Sequence, residues 1–366
     1  MREYSLVFAV AAAVTYLLTP LVRRGALRWH ALAQPRDRDV HAIPTPRLGG
    51  VAMYAGVVAA LLVARALPAL STTFKTSSDP RGVLIGGALI CGIGVLDDRW
   101  GLDALTKLAG QILSAGVMVL LGVQLLFIWL PTGTLYSLDQ NLAVPATVLL
   151  ALAMVNSVNV IDGLDGLAAG VVAIAAAAFF AFSYQLSVVQ HQSFAAPSTL
   201  ICAVLVGVCV GFLPHNFNPA RIFMGDSGSM LIGLMLAAAT TSATTRVDYG
   251  ALSGSNVASF FVPILLPALV LLVPFVDLLL AIVRRMRAGR PVFSPDKEHL
   301  HHRLLEIGHS HRRAVLIMYF WSALIAFGGV AVSFTRPALV LSVVAAFAII
   351  ALLSSSLPKI LAARRL

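Results

Sequence analysis

Charge is scarce in this sequence: only 11% of its 366 residues are Asp, Glu, Lys or Arg, where a soluble domain carries roughly 25%. With 59% hydrophobic residues and a mean hydropathy of +0.89, that shortage excludes an ordinary soluble protein. No stretch has the composition of a separate soluble domain, so residues 1–366 are read as a single integral membrane domain. Cysteine is scarcer still. Cys91, Cys202 and Cys209 all lie in apolar runs, which argues against a disulfide framework or a cysteine metal cluster and leaves them as small buried residues. No internal repeat of the inverted-transporter type is evident. A cleavable leader is not expected either. The first apolar segment runs from Tyr4 to Arg23 and Arg24 with its positive charge behind it and no small-residue cleavage site, so it is read as a retained helix.

What the sequence does have is apolar length. Runs able to cross a bilayer fall at about 4–22, 48–68, 81–97, 107–129, 143–160, 165–189, 198–213, 229–245, 258–284, 314–334 and 337–357. The expected fold is an all-α polytopic membrane protein of about 11 transmembrane helices. Pro263, Pro267 and Pro274 predict a kink or tilt in the ninth run. With the N-terminus outside, 20 of the 26 Lys and Arg residues fall in cytoplasmic segments, as the positive-inside rule requires. The net charge of +10 then reflects orientation rather than nucleic-acid binding. The same parity gathers the unusual polar clusters on the cytoplasmic face, which predicts one active face there.

Each cluster has a chemical reading. Asp97 and Asp98 close an apolar run, and adjacent carboxylates can bind Mg²⁺ or act as a base; an ordinary helix-terminal charge pair is the alternative. Asn156, Asn159, Asp162 and Asp165 follow at three-residue steps, more polar groups than a helix start between two spans needs. Gly225, Ser227, Gly228 and Ser229 offer free backbone amides and hydroxyls to an anion, and Asp226 among them calls for a bridging cation. A simple helix cap is the plainer alternative. Lys107 lies one turn before Gln111, where it can meet a phosphate. Asp277 lies inside a span and is read as facing the protein interior. Arg284, Arg285, Arg287 and Arg290 read mainly as positive-inside charge. His299, His301 and His302 suit phosphate contact better than zinc, for which a second ligand cluster is missing. Pro44 and Pro46 stiffen the loop from Arg36 to Gly50.

Together, HAIPTPRLGG, GVLDDRWGL followed by LTKLAGQ, NSVNVIDGLDGLAAG, GFLPHNFNPARIFMGDSGS and PDKEHLHHRLL, in that order, resemble the polyprenyl-phosphate N-acetylhexosamine-1-phosphate transferases over nearly the whole chain. Members of that family move a sugar 1-phosphate from a UDP-sugar to a polyprenyl phosphate, release UMP and need Mg²⁺, for which Mn²⁺ can substitute. The resemblance implies that Asp226 ligates the metal with Asn159 as second ligand, and that Asp97 and Asp98 serve the lipid-phosphate nucleophile. It implies a nucleotide pocket lined by Asp162, Asp165 and Asn216, and a phosphate contact from Lys107. His299, His301 and His302 match the family's histidine motif near the sugar and diphosphate, which implies a catalytic role beside Asp97, Asp98 and Asp226, and His41, Arg47 and Arg303 join Lys107, Asp162, Asp165 and Asn216 in the implied substrate-binding set. The HLHH spacing, where the muramyl-pentapeptide branch has three consecutive histidines, implies UDP-GlcNAc as donor and undecaprenyl or decaprenyl phosphate as acceptor. The alternatives are the UDP-MurNAc-pentapeptide enzyme of the same family and, in a different class, an ion or solute transporter. The expected setting is the bacterial cytoplasmic membrane, and the expected assembly a homodimer.

Overall fold

The computed structural model describes residues 1–33, 44–129, 135–244 and 309–335, with helical pieces at 283, 286–287, 339–340 and 342–348. Among these residues the protein is a bundle of helices: α1 (Arg2–Arg28), α2 (Gly49–Ala66), α3 (Pro68–Thr76), α4 (Asp79–Trp100), α5 (Ala104–Leu120), α6 (Gln140–Ile161), α7 (Leu167–Tyr184), α8 (Ala196–Asn216), α9 (Gly225–Thr244) and α10 (His311–Phe334). Two short antiparallel ladders complete it. One pairs Leu32–Ala33 with Thr45–Pro46, and the other pairs Phe127–Trp129 with Leu135–Ser137. Among the described residues seven helices are long and apolar enough to cross a membrane: α1, α2, α4, α6 and α10, with α7 and α8 counted together with their adjoining turns. The protein is an all-α membrane protein.

Two expectations need correction. The run at 107–129 is not one helix. α5 stops at Leu120, because Gly122 takes φ +103°, a left-handed conformation that ends the helix, and the chain continues as a hairpin. The stretch between the runs at 48–68 and 81–97, left outside every expected helix, forms α3. Pro68 sits at its first turn, and the Glu3 carboxylate accepts the free amides of Ala69 and Leu70 at 3.2 and 3.0 Å. The run at 258–284, including Asp277, lies outside the described residues.

α9 is the axis. Every residue from 227 to 243 is buried, and α2, α4, α6, α7 and α8 all pack against it. So close an approach needs small residues. A Cβ on Gly94 would lie 2.3 Å from the Ser227 backbone, and one on Gly50 would lie 2.2 Å from the backbone of Ser227 and Gly228. α4, α6 and α8 end, and α5, α7 and α9 begin, at the same end of this bundle, which therefore collects helix termini and their polar residues.

Candidate active site

The DDRWGLD stretch is a tight reversal. Gly101 closes α4 at φ +69°, and the Asp103 carboxylate caps α5 by accepting the amides of Leu105 and Thr106, both at 3.0 Å. The Thr106 hydroxyl and amide hold the Asp103 carboxyl below its usual range. This turn brings Lys107 back onto the last turn of α4. Its ammonium donates to Asp97 Oδ2 at 3.0 Å, while Asp97 Oδ1 accepts the Leu102 amide at 2.7 Å.

Asp97 and Asp98 do not act as a pair. Adjacent helical residues point about 100° apart, and Asp98 turns away into the protein, where it is 6% exposed. Its two oxygens accept the amides of Asp226 and Ser227 at 2.9 and 3.1 Å. The backbone amides that the glycine- and serine-rich start of α9 was expected to offer an anion are thus partly taken by a carboxylate of the chain itself. Gly225 permits this. It adopts φ +68°, and a Cβ there would lie 2.3 Å from Asp98 Oδ2.

Held this way, Asp226 faces α5 and α6. Its Oδ2 pairs with the Lys107 ammonium. Its Oδ1 accepts Asn159 Nδ2 at 2.6 Å, and the same nitrogen donates to Ser229 Oγ at 2.9 Å. One ammonium therefore bridges two carboxylates from different helices. The side chains of Asp97, Lys107 and Asp226 keep 11%, 20% and 25% of their exposure.

The HAIPTPRLGG motif docks beside the start of α9. The Phe223 amide donates to the Pro46 carbonyl at 2.8 Å, and the amides of Gly49 and Gly50 donate to the carbonyls of Phe223 and Met224 at 3.1 and 3.0 Å. Arg47 is thereby carried close enough to Asp162 for its charge to act there. Asp162, at the end of α6, keeps partial exposure. Burial by the surrounding protein, then the negative charges of Asp226 and Asp98, push its carboxyl well above the usual range, with Arg47 opposing.

Asp165 and Asn216 are buried and bind the chain. Asp165 Oδ2 accepts Asn218 Nδ2 and the Ala220 amide at 3.1 and 3.0 Å. Asn216 joins the Gly166 amide to the Ile222 carbonyl, both at 3.1 Å. They hold the α6–α7 turn against the α8–α9 loop, a role different from lining an open pocket. His311 and Tyr319, both on α10 and neither singled out by sequence, lock the same turn. His311 Nε2 accepts the Asp165 amide at 3.0 Å, and the Tyr319 hydroxyl donates to the Gly166 carbonyl. A polar start to an otherwise apolar run was the only sequence signal for His311. His41, His299, His301, His302 and Arg303 lie outside the described residues.

Among the described residues no group of three or more His, Cys, Asp or Glu side chains forms a ready metal cage. The donor set still suits a hard cation. The Asp226 carboxylate and the neighbouring Asn159 carboxamide are oxygen donors, and Mg²⁺ commonly takes only one or two protein carboxylates, completing its shell with phosphate and water. In this structure Asn159 turns its nitrogen, not its oxygen, to Asp226.

A helical membrane bundle with a lysine bridging carboxylates at the gathered helix ends suits a membrane-embedded enzyme. Residues 81–244 match the family described as Glycosyl transferase family 4. The chain is 50% identical over 341 residues to the decaprenyl-phosphate N-acetylglucosaminephosphotransferase of Mycobacterium leprae, covering 92% of this chain and 85% of that one. It is 31% identical over 315 residues to the probable undecaprenyl-phosphate N-acetylglucosaminyl 1-phosphate transferase of Bacillus subtilis, covering 85% and 80%. It is 30% identical over 347 residues to the phospho-N-acetylmuramoyl-pentapeptide-transferase of Desulforudis audaxviator, covering 86% and 93%. The protein belongs to glycosyl transferase family 4.

Proposed function

We propose that this protein transfers GlcNAc-1-phosphate from UDP-GlcNAc to decaprenyl phosphate, releasing UMP. The observation that carries the assignment is the likeness itself: 50% identity to a relative named for N-acetylglucosamine phosphate transfer, against 30% to one named for the muramyl-pentapeptide reaction. The setting proposed is the bacterial cytoplasmic membrane, with about eleven spans, the N-terminus outside and the gathered helix ends facing the cytoplasm.

The chemistry follows from the centre. The acceptor is a phosphate monoester and the donor a diphosphate, so two anions must meet. An oxygen of the lipid phosphate attacks the phosphorus bearing the sugar, and the bond from that phosphorus to the bridging oxygen breaks as UMP leaves. Lys107 stands where charge gathers and offsets part of the repulsion. Asp97 sits beside Lys107 at the edge of the centre and takes the last proton from the lipid phosphate, whose second pKa is about 6 by analogy with phosphoresidues. Asp98, engaged by α9, positions Asp226 instead. Asp226 and the Asn159 oxygen would hold Mg²⁺, which when bound supplies charge neutralisation on the donor diphosphate. Arg47 and Asp162 border the same centre, His41 and Arg303 belong to the proposed substrate-binding set, and His299, His301 and His302 to the proposed catalytic set.

The test is UMP release from UDP-GlcNAc and decaprenyl phosphate by purified protein. Mg²⁺-dependent release that disappears in Asp226→Asn supports the reading. Release only with UDP-MurNAc-pentapeptide would move the protein to the other branch.

A further inference from the structure

One turn deeper than the Lys107–Asp226–Asn159 cluster lies a second polar tier that the proposed chemistry does not use. Gln111 is four residues beyond Lys107 on α5, and Met230 is four beyond Asp226 on α9. Asn156 is three before Asn159 on α6, which runs the opposite way. Each member of the deeper tier thus lies one helical turn below its counterpart. The two side-chain amides face each other. Asn156 Nδ2 donates to Gln111 Oε1 at 2.9 Å, and Gln111 Nε2 reaches back to Asn156 Oδ1 at 3.5 Å. The same Gln111 nitrogen lies 3.4 Å from Met230 Sδ, and Asn156 Nδ2 also donates to the Leu152 carbonyl at 2.8 Å.

Gln111 is 2% exposed and Met230 fully buried, so a ligand at the centre does not need either. Gln111 is buried and Asn156 half-buried; an amide taken from water is costly unless matched, and here the two are matched across helices. An apolar pair would hold α5 and α6 together without fixing their relative height, because dispersion has little directionality. Two facing amides fix it.

We infer that the Gln111–Asn156 pair is a positioning element: it sets the axial register of α5 against α6, and so the places from which Lys107 and Asn159 grip the two oxygens of Asp226. The inference rests on the reading of that cluster as the catalytic centre. Gln111 and Asn156 are positioning residues and touch no reacting atom.

The test separates register from stability. Gln111→Met leaves the half-buried Asn156 amide without its cross-helix partner and Asn156→Leu does the same to the buried Gln111 amide, whereas the double variant removes both and replaces them with side chains of similar shape, a change that can be nearly neutral. The readouts are melting temperature and UMP release from UDP-GlcNAc and decaprenyl phosphate by the full-length protein in detergent. The double variant is expected to melt like the unaltered protein, to keep its KM within about twofold and to lose about tenfold in kcat, within the range that a misplacement of about 1 Å can cost. Native kcat in the double variant overturns the inference, as does a raised KM with unchanged kcat. If the double variant melts lower, Ala115→Gly supplies the comparison, since it loosens the same helix one turn further in without touching the amides. At matched melting temperature, a lower kcat in the amide variant supports the inference and an equal kcat overturns it. Asp226→Asn in the same assay distinguishes the two readings. Full activity there removes the centre and the inference with it, whereas loss there beside a native double variant removes the inference alone.

Discussion

At the scale of single residues, the structure separates two aspartates that are neighbours in sequence. Asp98 accepts two amides at the head of α9, and hydrogen bonds to a charged group contribute about 1.5–3 kcal/mol each. Asp98→Ala is therefore expected to lower the melting temperature and the activity together. Asp97→Asn is expected to leave melting unchanged and to cut kcat by about 10²-fold, within the range for losing an acid–base group. Thermal unfolding and UMP release on the same preparations check both. Asp162 gives a pH prediction. Its carboxyl is raised by burial and by nearby carboxylates, so ionising it costs stability. That cost is absent below its unfolded pKa of about 3.9 and grows as pH rises towards the folded value. In chelator-containing buffer, Asp162→Asn is expected to melt higher than the unaltered protein at pH 8, with the difference shrinking towards pH 4. A constant difference would contradict the assignment. The chemical importance of these residue types was legible in their sequence clusters. Their division of labour was not, because side-chain direction depends on which helix stands opposite.

Among the helices, glycine placement is more informative than hydropathy. Gly92 and Gly94 are two residues apart on α4, yet a Cβ at 92 meets nothing within 4 Å and one at 94 lies 2.3 Å from backbone. Gly92→Ala is expected to be neutral or slightly stabilising, since alanine favours a helix by about 1 kcal/mol. Gly94→Ala must push α4 from α9, at a cost of about 3 kcal/mol, with activity falling as Asp98 leaves its amides. Melting temperature and UMP release decide. Long apolar runs made most helices legible in the sequence. The shortfall of α5 was hidden because Leu121, Val123 and Leu125 continue the apolar pattern past Gly122, where the backbone turns. α3 was hidden for the opposite reason: its Ser, Thr and Lys residues look like a loop until Glu3 caps it.

For the whole molecule, the proposed orientation puts α3 outside and the end of α1 inside. Cys91, Cys202 and Cys209 are all buried, so single cysteines added at exposed positions can be read against a quiet background. Thr72→Cys is expected to react with a membrane-impermeant maleimide in intact cells, and Arg28→Cys only after lysis. The reverse pattern would invert the topology. That the described polar motifs, at the α4–α5, α6–α7 and α8–α9 junctions, share one end of the bundle is in line with the span parity read from the sequence. That the segment carrying Pro46, Gly49 and Gly50 pairs with Phe223 and Met224 was not legible there, because long-range backbone pairing leaves no periodic trace.

The charge balance around α9 has a further meaning. Asp97 and Asp226 stand against Lys107 and Arg47, while Asp98 is turned into the amides of Asp226 and Ser227 and Asp162 is held towards its neutral form, so among the described residues little positive charge is left over for an approaching oxyanion. Two of the amides that would have welcomed it are already engaged by Asp98. On the proposed chemistry such a centre has little of its own to hold a bare phosphate, and an anion that brings a counter-charge is favoured over one that does not.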